Sequence, residues 1–224
     1  MSSQKIYYRI LTQVDEPAVV ELLTEAYMPF EPLSKCLNLT RHEMRVYSTA
    51  LTRIVLRHNA SVGAFDTLTK AICGIAMNSI GKLDPTDEEE EMYNRMSDKL
   101  QYLVRFENYT EKVFLKSVIQ SKFMHHEMLT VKESFSKHGI GTELSRRSIE
   151  IASNRGCSFT LGFATSYKSL LIVKKLGLEA VHKIDMLKYR DPVTKERIFV
   201  DADLPEHCVF VMRMELSTKK ISSL

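Results

Sequence analysis

Residues 131–144 read V-K-E-S-F-S-K-H-G-I-G-T-E-L, and this stretch decides the fold class. It follows the apolar run Phe123–Val131 and leads into a segment with Ile140, Leu144 and Ile151 at helical spacing. The order is therefore strand, glycine loop, helix. Amide groups exposed at the start of a helix bind anions, and glycine lets the backbone approach a phosphate without a Cβ in the way. The stretch predicts an anion-binding loop.

Two other phosphate-binding patterns do not fit this loop. A dinucleotide fingerprint needs a third glycine at position 144, which is leucine, and an acidic residue about twenty positions on, where the chain reads SFTLGFATS. A Walker loop, G-x-x-x-x-G-K-[ST], does not occur in the sequence. Nucleotide hydrolysis is therefore disfavoured, whereas Lys137 and His138 still favour an anionic ligand.

Strands and helices alternate from the glycine loop onward. Strands are predicted at 123–131, 157–164 and 182–189, with helices at 140–155 and 166–176 between them. This alternation predicts a mixed sheet with covering helices. A last strand at 209–215 is expected to be antiparallel to the preceding one, since no helix separates the two.

The N-terminal half has a weaker pattern. It predicts a strand at 6–10, helices at 15–26 and 40–58, a hairpin at 61–66 and 71–79, and a helix ending near residue 103. The acidic run 84–91 lies in the first turn of that last helix, where the helix dipole favours negative charge. We interpret it as a solvated face, with a role in attracting a cationic substrate as the alternative.

Composition narrows the class of protein. Hydrophobic residues make up 44% of the 224 residues and charged residues 26%, as in globular domains. A net charge of +3 is too small to indicate nucleic acid, and the four cysteines have no metal-binding spacing. No stretch approaches about 18 consecutive apolar residues, and the start has no signal-like region. We expect one domain over 1–216 with a polar tail at 217–224, a cytoplasmic location, and a monomer or weak dimer without metal or membrane partner.

The glycine loop and the elements around it resemble the GNAT superfamily of acetyl-CoA-dependent N-acetyltransferases, whose signature is [Q/R]-x-x-G-x-[G/A]. Residues 136–141 read S-K-H-G-I-G, which matches both glycines and places Ser136 where the family has glutamine or arginine. Lys175-Leu176-Gly177-Leu178 resembles the family's helix end K-x-G-F. The resemblance implies an α/β (α+β) GNAT fold, with a mixed central sheet of about seven strands flanked by helices.

This family resemblance also implies acetyl-CoA as cosubstrate. Its pantetheine arm would pair with the first of two central strands that splay apart, and its pyrophosphate would lie on the glycine loop. The cofactor-binding residues expected from this resemblance are Leu129, Val131, Ser136, Lys137, His138, Gly139, Ile140, Gly141, Thr142, Ser166 and Ser169.

Two further segments are similar to the insect-type arylalkylamine N-acetyltransferases. F-E-P-L contains Glu31, which the resemblance implies is the general base acting through water, and A-T-S-Y-K-S-L contains Thr165, Ser166 and Ser169. Ser169 and Thr165 would stabilise the departing CoA thiolate. Proline at 29 and 32 favours an extended Glu31, which we expect in a half-buried apolar setting beside Phe30 and Leu33.

Structural interpretations compete with these roles. Glu31 is also suited to a turn or to a helix cap, and Ser166 to the N-cap of the next helix. Tyr167 is a candidate second proton donor, but a tyrosine at this position is also suited to packing. Adjacent His125 and His126 alternate faces of a strand, so at most one meets the substrate, and we interpret both as structural.

Three functions follow from the sequence. The leading hypothesis is acetyl transfer to a small arylalkylamine in a ternary complex. The alternatives within the same class are polyamine, amino-acid or protein N-acetylation. The others are an acyl-CoA-binding module without turnover, suggested by Ser136, and a domain whose glycine loop is only a turn.

Overall fold

Seven strands pair into one mixed sheet in the computed structural model, which describes residues 5–27, 30–81, 86–115 and 121–216. Their spatial order is β1-β2-β3-β4-β5-β7-β6. The strands span Ile6–Ile10 (β1), Val62–Asp66 (β2), Ile72–Ile80 (β3), Phe123–Val131 (β4), Phe159–Ala164 (β5), Glu179–Asp185 (β6) and Cys208–Glu215 (β7). All neighbours are antiparallel except β4 and β5, which are parallel.

Helices cover both faces of this sheet. They span Glu16–Leu22 (α1), Pro32–Cys36 (α2), Arg41–Leu56 (α3), Asp87–Asn94 (α4), Asp98–Leu115 (α5), Ile140–Asn154 (α6) and Tyr167–Lys175 (α7). A π-helical turn at Leu23–Tyr27 extends α1. The main core includes residues of α1, α3 and α5 on one face, whereas Ile140 and Leu144 of α6 pack on Val62 and Ala64 of β2 on the other.

The central strands β4 and β5 pair over only part of their length. Their ladder runs from Phe123 opposite Phe159 to His126 opposite Gly162, and beyond that point the two strands no longer pair with each other. A β-bulge interrupts β4 at the same place, because Met128 pairs with Met77 while His126 pairs with Asn78. The strands therefore separate at the carboxyl end of β4, as the family resemblance implied.

Most elements agree with the sequence predictions. The mixed sheet and the antiparallel last strand are confirmed, although β7 lies between β5 and β6. Three boundaries were wrong. The helix ending near residue 103 is two helices, 87–94 and 98–115; the sixth strand occupies 179–185 and not 182–189; and the fifth begins at 159. The expected tail at 217–224 lies outside the described residues.

Candidate active site

A cleft opens where β4 and β5 separate, and we call it the glycine-loop cleft. Its volume is about 390 Å³, and β4, the loop after it, β5 and the first turns of α6 and α7 form its walls. Ten of the eleven residues predicted to bind a cofactor line it. They are Leu129, Val131, Ser136, Lys137, Gly139, Ile140, Gly141, Thr142, Ser166 and Ser169. The eleventh, His138, is exposed on the loop, with its Nδ1 2.7 Å from the carbonyl oxygen of Ser136.

The glycine loop leaves the first turn of α6 without a side-chain cap. Lys137 and Gly139 have positive φ of 62° and 74°, and Gly139 is the N-cap. Among the described residues no side-chain hydrogen bond caps this helix start, and the amides of a first turn have no partner within their own helix. A 15-residue helix also places partial positive charge at this end. The turn can therefore bind an anionic group through Ile140, Gly141 and Thr142.

Gly141 allows α6 and α7 to pack closely, and Ser136 is a short polar residue of the loop. A Cβ at Gly141 would lie 3.3 Å from Cδ1 of Ile172 on α7, so a larger residue would crowd the contact between α6 and α7. The hydroxyl of Ser136 lies 3.5 Å from Oε1 of Glu133, at the limit of a hydrogen bond. Ser136 therefore contributes a short polar group where the related signature has a long one.

The serines of α7 form a capping box. The Ser166 hydroxyl accepts from the Ser169 amide at 3.1 Å, and the Ser169 hydroxyl accepts from the Ser166 amide at 3.3 Å. Ser169 also donates to the carbonyl of Ser166 at 2.9 Å. The capping role considered for Ser166 is thus present. Both serines line the cleft, so a rotation of the Ser169 hydroxyl would direct its proton to a ligand.

A second cavity lies on the other side of β4, and we call it the acidic cavity. Its volume is about 530 Å³. Of the residues that the structure describes, four carboxylates line it, namely Glu31, Glu90, Glu107 and Glu127, and its aromatic walls are Tyr27, Tyr47, Tyr93, Phe106 and Phe163. Arg105 also lines it, but its Nε donates to Asp191 at 2.7 Å, which balances that charge. The cavity is therefore suited to a cation with an apolar or aromatic body.

The two cavities share part of their walls. Six residues line both, namely Tyr27, Glu31, Glu127, Met128, Phe163 and Thr165. Two of the three residues predicted to be catalytic, Glu31 and Thr165, are in this group, and Ser169 lines the glycine-loop cleft alone. A ligand in one cavity and a ligand in the other would meet at this junction.

Glu31 has one oxygen bound and one without a partner. Its backbone is extended, with φ −82° and ψ 118°, as the neighbouring prolines predicted. Oε2 accepts from the Ser34 amide at 2.6 Å and caps α2, whereas Oε1 is buried and has no hydrogen-bond partner within the described ranges. Glu31 is 5% exposed and Phe30 is 52% exposed. The expected half-buried setting beside Phe30 was therefore wrong, because Phe30 lies at the surface and Glu31 is fully buried.

The π-helical turn positions Tyr27 beside Glu31. The amides of Phe30 and Glu31 both donate to the Tyr27 carbonyl at 3.0 Å. The Thr130 hydroxyl of β4 donates to the Ala26 carbonyl at 3.1 Å, which ties the turn to the strand. Burial, followed by the charges of Glu31 and Glu107, raises the pKa of Tyr27 well above its ordinary value. The Tyr27 phenol therefore remains protonated.

The adjacent histidines of β4 line different cavities. His125 lines the acidic cavity and His126 the glycine-loop cleft, in agreement with the predicted alternation. His126 Nδ1 lies 2.8 Å from Oδ1 of Asn78, whose amide nitrogen donates to the Ala60 carbonyl and the Ser148 hydroxyl. Burial, with a smaller effect of His125, lowers the pKa of His126 to about 4. His126 is therefore a neutral imidazole at physiological pH.

Sequence reasoning missed most of the acidic cavity. Glu127 was not considered, although it lines both cavities. Tyr47 of α3 and Glu107 of α5 were not considered either, and their side chains are hydrogen-bonded to each other. The acidic run was interpreted as a solvated face, and its residues 87, 88, 90 and 91 are exposed, although Glu90 also lines the cavity and Glu89 is buried against Arg57. Its residues 84 and 85 lie outside the described ranges.

Comparison with known proteins relates this geometry to a fold. No family model matches the chain, and no curated protein matches its sequence. Arylalkylamine N-acetyltransferase 2 from Aedes aegypti is 25% identical over 95% of this chain and 99% of its own, with a TM-score of 0.75. The C-terminal condensation domain of Ebony, solved with beta-alanyl-dopamine, is 15% identical over 96% and 100%, with a TM-score of 0.81. A polyamine N-acetyltransferase from Drosophila melanogaster is 14% identical over 95% and 100%, with a TM-score of 0.73.

These similarities confirm the predicted fold. The chain has the mixed seven-stranded sheet of the GNAT N-acetyltransferases, and its resemblance to them supports an acyltransferase enzyme. No helix in the described part of the chain is long and apolar enough to cross a membrane.

Proposed function

We propose that this chain transfers the acetyl group of acetyl-CoA to the primary amine of a small arylalkylamine, by direct attack in a ternary complex. The observation that carries this proposal is the junction at which the glycine-loop cleft meets the acidic cavity, lined by Glu31 and Thr165. One cavity suits an anionic ligand and the other a cationic one. Two substrates held on opposite sides would bring an acyl group and an amine together there.

Acetyl-CoA fits the glycine-loop cleft. The uncapped first turn of α6 would bind the pyrophosphate, with Lys137 adding positive charge. The edge of β4 beyond His126 is no longer paired with β5, so its backbone is available to the amides of the pantetheine arm. This arrangement would direct the thioester toward the junction.

The amine would enter through the acidic cavity. Its carboxylates attract an ammonium group, and its tyrosine and phenylalanine walls can pack on an aromatic ring or stabilise a cation. The aromatic walls favour an arylalkylamine. Its nitrogen would reach the thioester at the junction of the two cavities.

Glu31 would accept a proton from the amine, and Ser169 would donate a hydrogen bond or a proton to the leaving sulfur. An ammonium ion cannot attack a thioester, and the partnerless Oε1 of Glu31 can take its proton directly or through a water molecule. The nitrogen then adds to the thioester carbonyl, which an amide of β4 would polarise. The nitrogen of the tetrahedral intermediate still carries a second proton, and this proton passes to the departing CoA sulfur, directly or through a hydroxyl, as collapse forms the amide and breaks the carbon–sulfur bond. The hydroxyl of Ser169, or of Thr165, would hydrogen-bond or protonate this sulfur.

A second acceptor class is a polyamine or a guanidino amine. Glu90 of α4 and Glu107 of α5 line the acidic cavity in addition to the carboxylates at the junction, which would suit a second positive charge. The Drosophila neighbour named above is a polyamine N-acetyltransferase. The two classes differ in whether an aromatic ring or a second cation fills the cavity.

An amine-panel assay tests the proposal. CoA thiol release is measured with dopamine, serotonin, tyramine, agmatine, spermidine and lysine at equal concentrations. We expect the arylalkylamines to give the highest kcat/KM. A higher kcat/KM for agmatine or spermidine would favour the second class. Binding of CoA by calorimetry without thiol release from any amine would indicate a binding module and contradict the proposal.

A further inference from the structure

We propose that Glu127, on the bulge of β4, is the carboxylate that binds the ammonium group of the acceptor amine before Glu31 removes its proton. This inference rests on the proposed function and adds to it the binding group of the amine. Four observations on the bulge, the side chain, its charge and its surroundings support it.

The bulge gives Glu127 an unusual position. Its neighbours Met128 and His126 pair with consecutive residues of β3, Met77 and Asn78, so no residue of β3 lies opposite Glu127. A bulge bends a strand and redirects the side chain of the extra residue. This bulge immediately follows the last pair of the β4–β5 ladder. Glu127 therefore projects where the strands separate and the two cavities meet.

The contacts of its side chain leave one carboxylate oxygen available. Oε1 accepts from the Ser79 hydroxyl at 2.5 Å and lies 3.1 Å from Nδ1 of His125. Within the described ranges Oε2 makes no hydrogen bond. The side chain is 8% exposed, and the residue lines both cavities. A ligand at the junction can therefore reach an oxygen to which no described residue is hydrogen-bonded.

Glu127 keeps its negative charge in this setting. Burial raises its pKa, but the charge of His125, the hydrogen bonds from His125 and Ser79, and the charge of His58 together lower it below its ordinary value. A buried carboxylate is costly unless a cation or several hydrogen bonds compensate it. The cavity's arginine, Arg105, is bound to Asp191. An ammonium group at the junction would give this carboxylate a second cationic partner beside His125.

Glu31 and Glu127 would have different roles, one as the proton acceptor and the other as the group that binds the ammonium. Each has one oxygen bound to the protein, Oε2 of Glu31 by Ser34 and Oε1 of Glu127 by Ser79, and the other oxygen free of hydrogen bonds within the described residues. The amine proton passes to Glu31, directly or through water, while Glu127 stays ionised throughout. Loss of Glu31 would thus lower kcat, whereas loss of Glu127 would raise KM for the amine.

The experiment compares an amine with its neutral alcohol. Tyramine is used as the substrate, and tyrosol, which has a hydroxyl in place of the ammonium, is expected to inhibit it competitively. For Glu127→Gln we expect the KM of tyramine to rise about 10- to 100-fold, as for loss of a charge-assisted hydrogen bond. The Ki of tyrosol and the affinity for CoA should change less than twofold. Glu91→Gln is the matched control, because Glu91 is an exposed carboxylate of α4 that lines neither cavity.

A structural role of Glu127 would give a different result. If Glu127→Gln weakened tyramine and tyrosol equally, or left the KM of tyramine within twofold of wild type, the inference would be overturned. Should Glu127→Gln fail to fold, Glu127→Asp is tested instead, because it moves the carboxylate away from the junction by one methylene. A rise in the KM of tyramine without a rise in the Ki of tyrosol supports the inference. An equal loss of affinity for both ligands contradicts it. Absence of thiol release from the wild-type protein would instead contradict the proposed function.

Discussion

Glu31→Gln is the substitution that tests the proposed chemistry most closely. Glutamine has the size of glutamate, and its amide oxygen can still accept from the Ser34 amide that Glu31 now caps. The substitution therefore keeps the cap of α2 and removes the proton acceptor. We expect the midpoint of thermal unfolding to move by a few degrees at most, because even complete loss of the cap would cost only about 1 kcal/mol.

The expected loss follows from the ionisation of the amine. An alkylamine with a pKa of about 10.4 is roughly one part in 10³ neutral at pH 7, a deficit of about 4 to 5 kcal/mol. A positioned base typically contributes about 10²- to 10⁴-fold in rate. Glu31→Gln should lower turnover by that factor at pH 7. Because the neutral fraction of the free amine rises about tenfold per pH unit, the variant should recover part of its activity toward pH 9.5.

The assay is thiol release from acetyl-CoA with tyramine, recorded from pH 6.5 to 9.5 alongside CoA affinity by calorimetry. CoA affinity should change less than twofold, because the binding loop is not altered. Glu25→Gln is the control, since Glu25 is an exposed carboxylate of the same segment, paired with Arg41, that lines neither cavity. Unchanged turnover at pH 7 would remove Glu31 from the mechanism. A loss that does not diminish as the pH rises would show that Glu31 has a role other than accepting the proton.

Three further changes test the loop, the leaving group and the core. Gly139→Ala forces alanine to a φ of 74°, so we expect the protein to lose about 1 kcal/mol of stability. Calorimetry should show weaker CoA binding, whereas the KM of the amine should not change. A CoA affinity equal to that of the wild type would contradict the role of the loop. Ser169→Ala should lower kcat about 10-fold, as expected for loss of one hydrogen bond to a charged group. A kcat equal to that of the wild type would exclude Ser169 as the hydrogen-bond partner of the CoA thiolate. His126 has its pKa lowered to about 4 from 6.5 in the folded state, so its contribution to stability is complete above pH 6.5 and is lost as the pH falls toward 4. Urea unfolding should show about 2 kcal/mol less stability from this group at pH 5 than at pH 7, a difference that His126→Gln should reduce; an equal difference in the variant would refute this assignment.

Local sequence patterns predicted the glycine-loop cleft well. The glycines at 139 and 141 mark a turn with positive φ followed by a helix start, and both properties depend on residues close in sequence. Ser166 caps α7 through Ser169, three residues on, and the extended Glu31 precedes Pro32. Such features need no tertiary contact, so they can be deduced from the chain alone.

The acidic cavity could not be predicted in the same way. Glu127 looks like an ordinary strand residue, because no hydrophobic pattern marks a bulge, and its meeting with Ser79 depends on the register of β3 and β4. Tyr47 and Glu107 are 60 residues apart in the chain and meet through the packing of α3 and α5. The full length of α5 was missed for a related reason. Its segment Asn108-Tyr109-Thr110 has weak helix formers, and the burial of Phe106 and Thr110 stabilises the helix there.

In the proposed reaction, two cavities hold acetyl-CoA and a cationic amine on either side of one junction. The most direct test is thiol release by the wild-type protein over a matrix of acetyl-CoA and tyramine concentrations. We expect intersecting double-reciprocal lines, which are typical of a ternary complex, and no thiol release when the amine is omitted. Parallel lines, or thiol release that does not depend on the amine, would contradict it.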